Sequence, residues 1–328
     1  EFDEKRVADS IKELQREFSG NSFHLHTYMG VYEIRDRDEA VSIMVDKANI
    51  AADTIKNNYD CCVAYYDEHL LEISIEQRRL LGEFEPALQN DEFVMYLQPQ
   101  VKRDGAAKGA EALVRWVHPS RGILTPYAFI DILENAGLIY KLDLYIWEKA
   151  AQKLAEWKEK GYGSYHISVN ISTKDFYIID IYETFTGLIN KYGIAASNLH
   201  LEITETTLMT DFEKNMNIIH KLQGVGFRVE IDDFGSGYSS LNMLKDISAD
   251  VLKIDMGFLR KSENEVKGQD ILESIITLAG KIGMDVITEG VETKKQLDML
   301  TMMGCHEFQG YYFSKPVPVS EFEEKYLV

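Results

Sequence analysis

Eight short apolar runs recur between residues 95 and 312, and nearly every one closes on a single polar residue able to bind a metal ion or a phosphate. They are MYLQPQV (95–101), AEALVRW (110–116), YHISVNI (165–171), LHLEITE (199–205), FRVEIDDF (227–234), VLKID (251–255), DVITEG (285–290) and EFQGYY (307–312). In order they contribute Gln98, Glu111, Asn170, Glu202, Asp232 with Asp233, Lys253, Glu289 and Gln309. Segments of helical length and period lie between most of them. Leu142, Tyr145, Ile146, Ala150, Leu154 and Trp157 share one face, as do Ile271, Leu272, Ile275, Ile276, Ala279 and Ile282. Strand alternating with helix predicts parallel pairing, and eight such strands predict closure into an α/β fold of the (β/α)8, TIM-like barrel type. Chemistry in such barrels sits at the carboxyl ends of the strands, where these polar residues fall.

One connection is too short for that pattern. Only Lys102 to Gly109 joins the first run to the second, whereas a parallel crossover needs about a dozen residues or more. The first strand is therefore predicted to run antiparallel to the rest. Gln98 is then the hardest member to place, because an antiparallel strand points its carboxyl end at the other rim.

At 328 residues, 45% of them hydrophobic, the chain has room for a barrel and a smaller unit; barrels of this kind take about 250 residues. A net charge of −19 argues against an extended basic face for DNA or RNA and leaves local neutralisation by metal ions as the way to hold converging carboxylates. Three cysteines, two of them adjacent (Cys61 and Cys62), make no disulfide framework, so a reducing cytoplasm is expected. No apolar run approaches the roughly 18 residues needed to span a bilayer, and no signal peptide is visible. The opening EFDEKRVADSIKELQREF lacks an initiator methionine, which predicts a piece of a longer protein whose other parts could carry a sensor or membrane region.

Residues 1–72 are expected to form a small α+β unit from FHLHTYMGVYEI (23–34), a helix with Ala48, Ala51, Ala52 and Ile55 on one side, and CCVAYYD (61–67). A helix from about Ser74 to Gln89 then leads, through a linker at 73–83, into the barrel at 84–328. His118, His166 and His200 sit in apolar contexts with no ligand spacing between them and read as structural, while His24 and His26 alternate on one strand face. Cys305 is expected to pack as a small apolar residue, and Tyr311, Tyr312 and Phe313 as barrel wall and rim.

Glu111, Asn170, Glu202, Asp232, Asp233 and Glu289 offer oxygen donors with no cysteine or histidine among them. Hard oxygen ligands of this kind select Mg2+ or Mn2+ over Zn2+. Adjacent aspartates can serve two ions, Asp232 bridging both and Asp233 reaching one, in a two-metal site suited to in-line displacement at phosphorus. Lys253 adds a cation able to orient a metal-bound water, and Arg115 can pair with a phosphate bidentately.

These residues lie in ordered motifs that resemble the EAL-type cyclic di-GMP phosphodiesterases from about Phe84 to Val328. Glu111-Ala112-Leu113 stands within EALVRW, followed by His118-Pro119 and TPYAFIDILENAGLI. SVNIS, LEITET, EIDDFGSGYSSL, LKID, ITEGVET and FQGYYFSKP follow in order. The resemblance implies that Glu111, Asn170, Glu202, Asp232 and Asp233 are ligands of two Mg2+ or Mn2+ ions, with Glu289 close to them directly or through water. It implies that Lys253, with Glu111 and Glu289, forms the catalytic group and positions a metal-activated water. Gln98, Leu113, Arg115, Asp255 and Gln309 are implied as substrate contacts, and Glu205 as the residue steadying the loop Phe234-Gly235-Ser236-Gly237-Tyr238. The implied reaction is hydrolysis of cyclic di-GMP to linear pGpG in bacterial second-messenger signalling, by a homodimer coupled through that loop. Ser236 stands where the family more often has threonine, and Met256-Gly257 replace a commonly polar pair; no catalytic position is lost. The alternative is a receptor that binds cyclic di-GMP without cleaving it. Residues 1–72 resemble the carboxyl-terminal half of a GGDEF domain. The GGDEF loop and its glycine-rich turn are absent, which predicts a spacer or regulatory remnant without cyclase activity.

Overall fold

The computed structural model describes residues 5–7, 9–11, 13, 27–56, 61–234, 247–257 and 265–327. Chain contacts divide it into two units, 1–84 and 85–328. In the smaller unit, strand β1 (Met29–Val31) pairs in parallel with β2 (Val63–Tyr65), and helix α1 (Val41–Asp53) connects them. Ala51 on α1 is wholly buried. Gly30 lets helix and strand approach closely, since a Cβ there would meet the Ala48 carbonyl oxygen at 1.7 Å. Helix α2 (Glu68–Gln89) runs across the division and starts earlier than its apolar period suggests. The reason is local: Asp67 Oδ1 accepts the backbone N–H of Leu70 at 3.0 Å and caps the first turn.

The larger unit is a closed barrel. Its strands are β3 (Phe93–Lys102), β4 (Ala107–His118), β6 (His166–Ile171), β7 (Leu199–Thr204), β8 (Val229–Asp232), β9 (Val251–Asp255), β10 (Asp285–Glu289) and β11 (Glu307–Phe308), with short additions β5 (Gly122–Leu124) beside β4 and β12 (Val317–Pro318) beside β3. Strands β4, β6, β7, β8, β9, β10 and β11 pair successively in parallel. Strand β3 closes the ring, antiparallel to both β4 and β11. The expectation of an antiparallel first strand holds. Its consequence for Gln98 does not, because the middle of β3 lies in register with the active rim: Gln98 pairs with Glu111 across the β3–β4 ladder.

The helix Ile139–Glu159 buries Leu142, Ile146, Ala150, Leu154 and Trp157, the predicted face, while Tyr145 at its edge donates to Asp91 Oδ1 at 2.6 Å. Helix Glu265–Lys281 buries Leu272, Ile276 and Ala279, but Ile271 is exposed and Ile282, also exposed, falls just past its end, so the buried stripe is narrower than the apolar pattern implies. Trp157 stacks on Phe322 at 5.6 Å and donates Nε1–H to Glu323 at 2.8 Å, fastening the last helix, Val319–Tyr326, to the barrel wall. Trp147 donates Nε1–H to the Asn170 carbonyl at 2.9 Å, so one helix anchors the backbone that carries a candidate ligand. Cys305 is buried, as expected. Among the described residues no helix is long and apolar enough to cross a membrane.

Gly310, directly after Gln309, has a positive φ of 157°, and a Cβ there would lie 2.3 Å from both the nitrogen and the oxygen of Val291. Those backbone atoms belong to the segment after β10, whose Val291 N–H donates to the Gln309 carbonyl at 3.2 Å. Gly310→Ala is therefore expected to destabilise the barrel by about 1–3 kcal/mol, an overpacking cost. Urea unfolding of the variant checks this, and an unchanged midpoint would show that the segments can part freely.

Candidate active site

Side chains two apart on a strand share a face, so the inward positions of the barrel recur: Ser168 and Asn170 on β6, His200 and Glu202 on β7, Glu230 and Asp232 on β8. Lys253 enters the same space from the middle of β9 and is wholly buried. Its Nζ lies 2.7 Å from Glu289 Oε1, 2.9 Å from Glu202 Oε1, 3.4 Å from Glu111 Oε2 and 3.6 Å from Asp232 Oδ1. Glu111 is the hub of the accompanying hydrogen bonds. It accepts from Asn170 Nδ2 at 3.2 Å on one oxygen and from Gln309 Nε2 at 2.5 Å on the other. Gln309 Nε2 also reaches Gln98 Oε1 at 3.3 Å, and Gln98 donates to the Ser314 carbonyl at 3.4 Å.

One ammonium cannot balance four carboxylates at these distances. Burial opposes the charge on Lys253, but Asp232, Glu111, Glu202 and Glu289 outweigh it and hold the ammonium protonated well above the usual lysine range. The carboxyls absorb the deficit. Burial, then repulsion from Glu111, pushes Glu202 well above the usual carboxylate range, and burial likewise raises Asp232. Burial raises Glu289 to about 8, even though Lys253 pulls it down.

Both oxygens of Glu202, Asp232 Oδ1, Glu289 Oε1 and Gln309 Oε1 are buried without an aligned hydrogen-bond donor. Lys253 reaches three of these groups, Glu202, Asp232 and Glu289, as ion pairs. Buried acceptors of this kind are costly unless something positive satisfies them. The donor set, all oxygen apart from Lys253, fits hard divalent ions such as Mg2+ or Mn2+.

Of the residues named from sequence, Gln98, Glu111, Asn170, Glu202, Asp232, Lys253, Glu289 and Gln309 meet around this cluster. Asp233 follows at the strand end in an exposed left-handed turn, φ 56°. Phe234 is buried, with its N–H donating to the Lys253 carbonyl at 3.3 Å. Gly235, Ser236 and Gly237 lie outside the described residues. Glu205 is buried at the start of helix Glu205–Thr210, just after Thr204, which caps it by accepting from Thr207 N–H. Arg115 extends over the Tyr96 ring, 5.5 Å from its centroid, and burial lowers its pKa. Leu113 is half-buried, and Asp255 is exposed, accepting from Gly257 N–H at 2.7 Å.

Sequence reading missed how Lys253 is used. Besides the water-positioning role expected of it, it is the shared counter-ion of four carboxylates; its place inside the apolar VLKID run was the available signal. The amide chain Gln98–Gln309–Glu111 was also missed, since it needs the closure of β3 against β11. His118 behaves as expected, its ring 5.3 Å from Trp116. His166 and His200, expected to share no ligand-like arrangement, instead stack at 3.8 Å beside Glu230.

Comparison with known proteins agrees with this geometry. A family model described as EAL domain matches residues 82–316. The bifunctional diguanylate cyclase/cyclic di-GMP phosphodiesterase MucR of Pseudomonas aeruginosa is 32% identical over 272 residues, 83% of this chain and 39% of that protein. The cyclic di-GMP phosphodiesterase PdeR of Escherichia coli is 33% identical over 240 residues, 73% of this chain and 36% of that protein. The chain thus spans under half the length of these curated relatives. Among solved structures, a MucR phosphodiesterase in complex with c-di-GMP superposes with a TM-score of 0.71 at 33% identity, covering 74% of this chain and 99% of that one.

The raised Glu289 pKa sets a pH dependence. An unfolded glutamate titrates near 4.5 and this one near 8. Its contribution to stability is thus present below pH 4.5 and is lost as pH rises through 8 in metal-free protein. A divalent ion must displace that proton and any held by Glu202 or Asp232, so binding is expected to release about one proton or more per chain at pH 7 and to tighten as pH rises towards 8. Calorimetry of Mn2+ binding in two buffers of different ionisation enthalpy counts the protons; a count of zero would remove the buried carboxyls from the site.

Proposed function

The chain belongs to the EAL domain family, and from that premise we propose that its barrel hydrolyses one phosphodiester of cyclic di-GMP to give linear pGpG. The observation that carries this reading is the convergence of Glu111, Glu202, Asp232 and Glu289 on one buried lysine, beside the amides of Gln98 and Gln309. Relatives named as cyclic di-GMP phosphodiesterases support the substrate.

Two Mg2+ or Mn2+ ions held by Glu111, Asn170, Glu202, Asp232 and Asp233, with Glu289 beside them, would polarise the phosphodiester and make water a competent nucleophile near neutral pH. The protein's own groups do the rest. Lys253, kept protonated by its neighbours, donates to the oxygen of the attacking water and fixes its direction. Glu289, 2.7 Å from Lys253 Nζ, is placed to take the proton that the water loses. The new P–O bond forms as the P–O3′ bond on the opposite side breaks, leaving a 5′-phosphate and a 3′-oxygen that takes a proton from solvent to become the 3′-hydroxyl. The Arg115 guanidinium pairs with the second phosphate, the Gln98 and Gln309 amides read guanine edges, and Leu113 and Asp255 line the substrate's path. Glu111 takes part twice, as ligand and as acceptor for Asn170 and Gln309, so the ligand set and the substrate amides share one anchor.

The enzyme acts as a cytoplasmic homodimer, coupled through the loop that begins at Phe234 and continues through Gly235, Ser236 and Gly237, with Glu205 in the role of steadying that loop. Residues 1–72 serve as a degenerate GGDEF-like remnant; the parallel β1–α1–β2 unit, a strand, helix and strand in that order, supports this reading.

Purified chain incubated with cyclic di-GMP and Mg2+ or Mn2+ is expected to yield pGpG, and chelator to stop it. Tight binding without product under any metal would make the protein a receptor. Lys253→Ala and Glu111→Ala are expected to lower turnover at least about 100-fold, the scale of losing one group that acts in the transition state, with circular dichroism unchanged; undiminished hydrolysis in either would refute the roles. Sedimentation with saturating ligand should show a dimer, and a monomer at high protein concentration would refute the coupling.

A further inference from the structure

At the amino-terminal ends of the same strands, a second buried group opens into its own cavity of about 490 Å3. His166 starts β6, His200 is second on β7 and Glu230 second on β8, all buried. One donor atom from each of these three lies within 4.8 Å of the others. The imidazoles stack face to face, 3.8 Å between centroids and 4° from parallel. Gly109 on β4 crosses against His166, where a Cβ would stand 2.4 Å from the ring, so the ring has little freedom to turn.

The hydrogen bonds hold the three donor atoms close together. The Ser197 carbonyl can only accept, so His200 Nε2, at 3.2 Å from it, is the protonated nitrogen. That leaves His200 Nδ1 facing Glu230 Oε1 at 2.5 Å, an approach that a proton bridges in the empty site and a metal ion can take over. Two acceptors at that distance need a positive particle between or beside them. Glu230 Oε2 and Gln100 Nε2 are buried with no hydrogen-bond partner. Gln100 Oε1 lies 2.7 Å from His166 Nε2, and Ser168 Oγ donates to Glu230 Oε1 at 3.3 Å, supports of the kind that orient metal ligands. Two cations line the cavity, but each already has an acid: Lys108 pairs with Glu307, and Arg228 with Asp285 at 2.5 Å.

We propose that His166, His200 and Glu230 form a binding site for one borderline-soft divalent ion of the Zn2+ class, separate from the oxygen-ligand site at the other end of the strands. Two imidazoles and a carboxylate with solvent access match the donors that Zn2+ takes when three protein ligands leave a fourth position for water. Tetrahedral donors at ~2.0–2.2 Å stand ~3.3–3.6 Å apart, so His200 and Glu230, now 2.5 Å apart, part by about an ångström to admit the ion. Burial, and then the neighbouring His200, keeps His166 neutral, which is the form that ligates. The ion ties together three adjacent strands that deliver Asn170, Glu202 and Asp232 to the other rim. The site does not depend on the proposed hydrolysis, and its test does not read activity.

Metal-stripped protein, with Mg2+ at millimolar concentration to fill the oxygen site, is titrated with Zn2+ by calorimetry and melted with and without the ion. One Zn2+ per chain and a rise in Tm of about 5 °C or more are expected for the wild type. His200→Gln and, from the neighbouring strand, His166→Gln are each expected to weaken Zn2+ binding at least about tenfold, the scale of losing one protein ligand, with Mg2+ binding unchanged. Zn2+ binding equal in the variants and the wild type, or absent from both, would overturn the proposal and leave an imidazolium–carboxylate pair. Should the variants not fold, the zinc anomalous signal in crystals of the wild type decides: density against both rings and Glu230 supports the site, and density only elsewhere overturns it.

Discussion

The charge on Lys253 holds this barrel's functional end together. A lysine wholly out of solvent is tolerated only where anions surround it, and here four carboxylates from β4, β7, β8 and β10 do so, within 2.7–3.6 Å. Each strand contributes one acid, so the ammonium ties β4 and β10, which pair with neither β7 nor β8, to that directly paired couple. The balance is deliberately incomplete in sign. With one cation against four acids, Glu202, Asp232 and Glu289 are all pushed towards their protonated forms. A site in that condition gains most from additional positive charge, which is why the same residues that destabilise an empty barrel make a strong receptacle for divalent ions.

The antiparallel strand is the second constraint. In an all-parallel barrel every strand meets the active rim with its carboxyl end, and a residue from the middle of a strand arrives too low. Strand β3 runs the other way, pairs Gln98 with Glu111, and hydrogen-bonds on its other side to β11. That double pairing brings Gln98 and Gln309 within 3.3 Å although 211 positions separate them in sequence. The short hairpin between β3 and β4, which looks like a departure from the repeating pattern, is thus what allows two amides to share the carboxylate of Glu111.

Much of this was legible in the chain. The eight apolar runs, each ending in its polar residue, gave the strands and their direction, and the Lys102–Gly109 connection was too short for anything but a hairpin. Helix faces came through where one side alone is buried, as at Leu142 to Trp157, and blurred where apolar residues stay on the surface, as at Ile271 and Ile282. What stayed hidden depends on strand register and on closure. Nothing local to LKID tells that Lys253 faces four acids, because each acid lies on a different strand. The start of α2 was misplaced for the opposite reason: Asp67 caps it through a contact of three residues' range, which the apolar period does not report.

His166 and His200 show most plainly why spacing along the chain is a poor guide in a parallel barrel. Metal ligands on one helix or hairpin announce themselves by short intervals, whereas parallel strands bring together residues a whole crossover apart. The register that sets Asn170 beside Glu202 also sets Ser168 beside His200, so the pattern of inward residues repeats two positions earlier with different chemistry. Glu230, two residues before Asp232, adds a fifth negative charge beneath Lys253. Burial alone would raise its pKa, but the hydrogen bond from His200 outweighs that and brings it to about 2. The two ends are therefore electrostatically joined: His200 gives Glu230 a partner of its own, Glu230 still adds to the anions that raise Glu202, and nitrogen donors below leave the oxygen donors above free for harder ions.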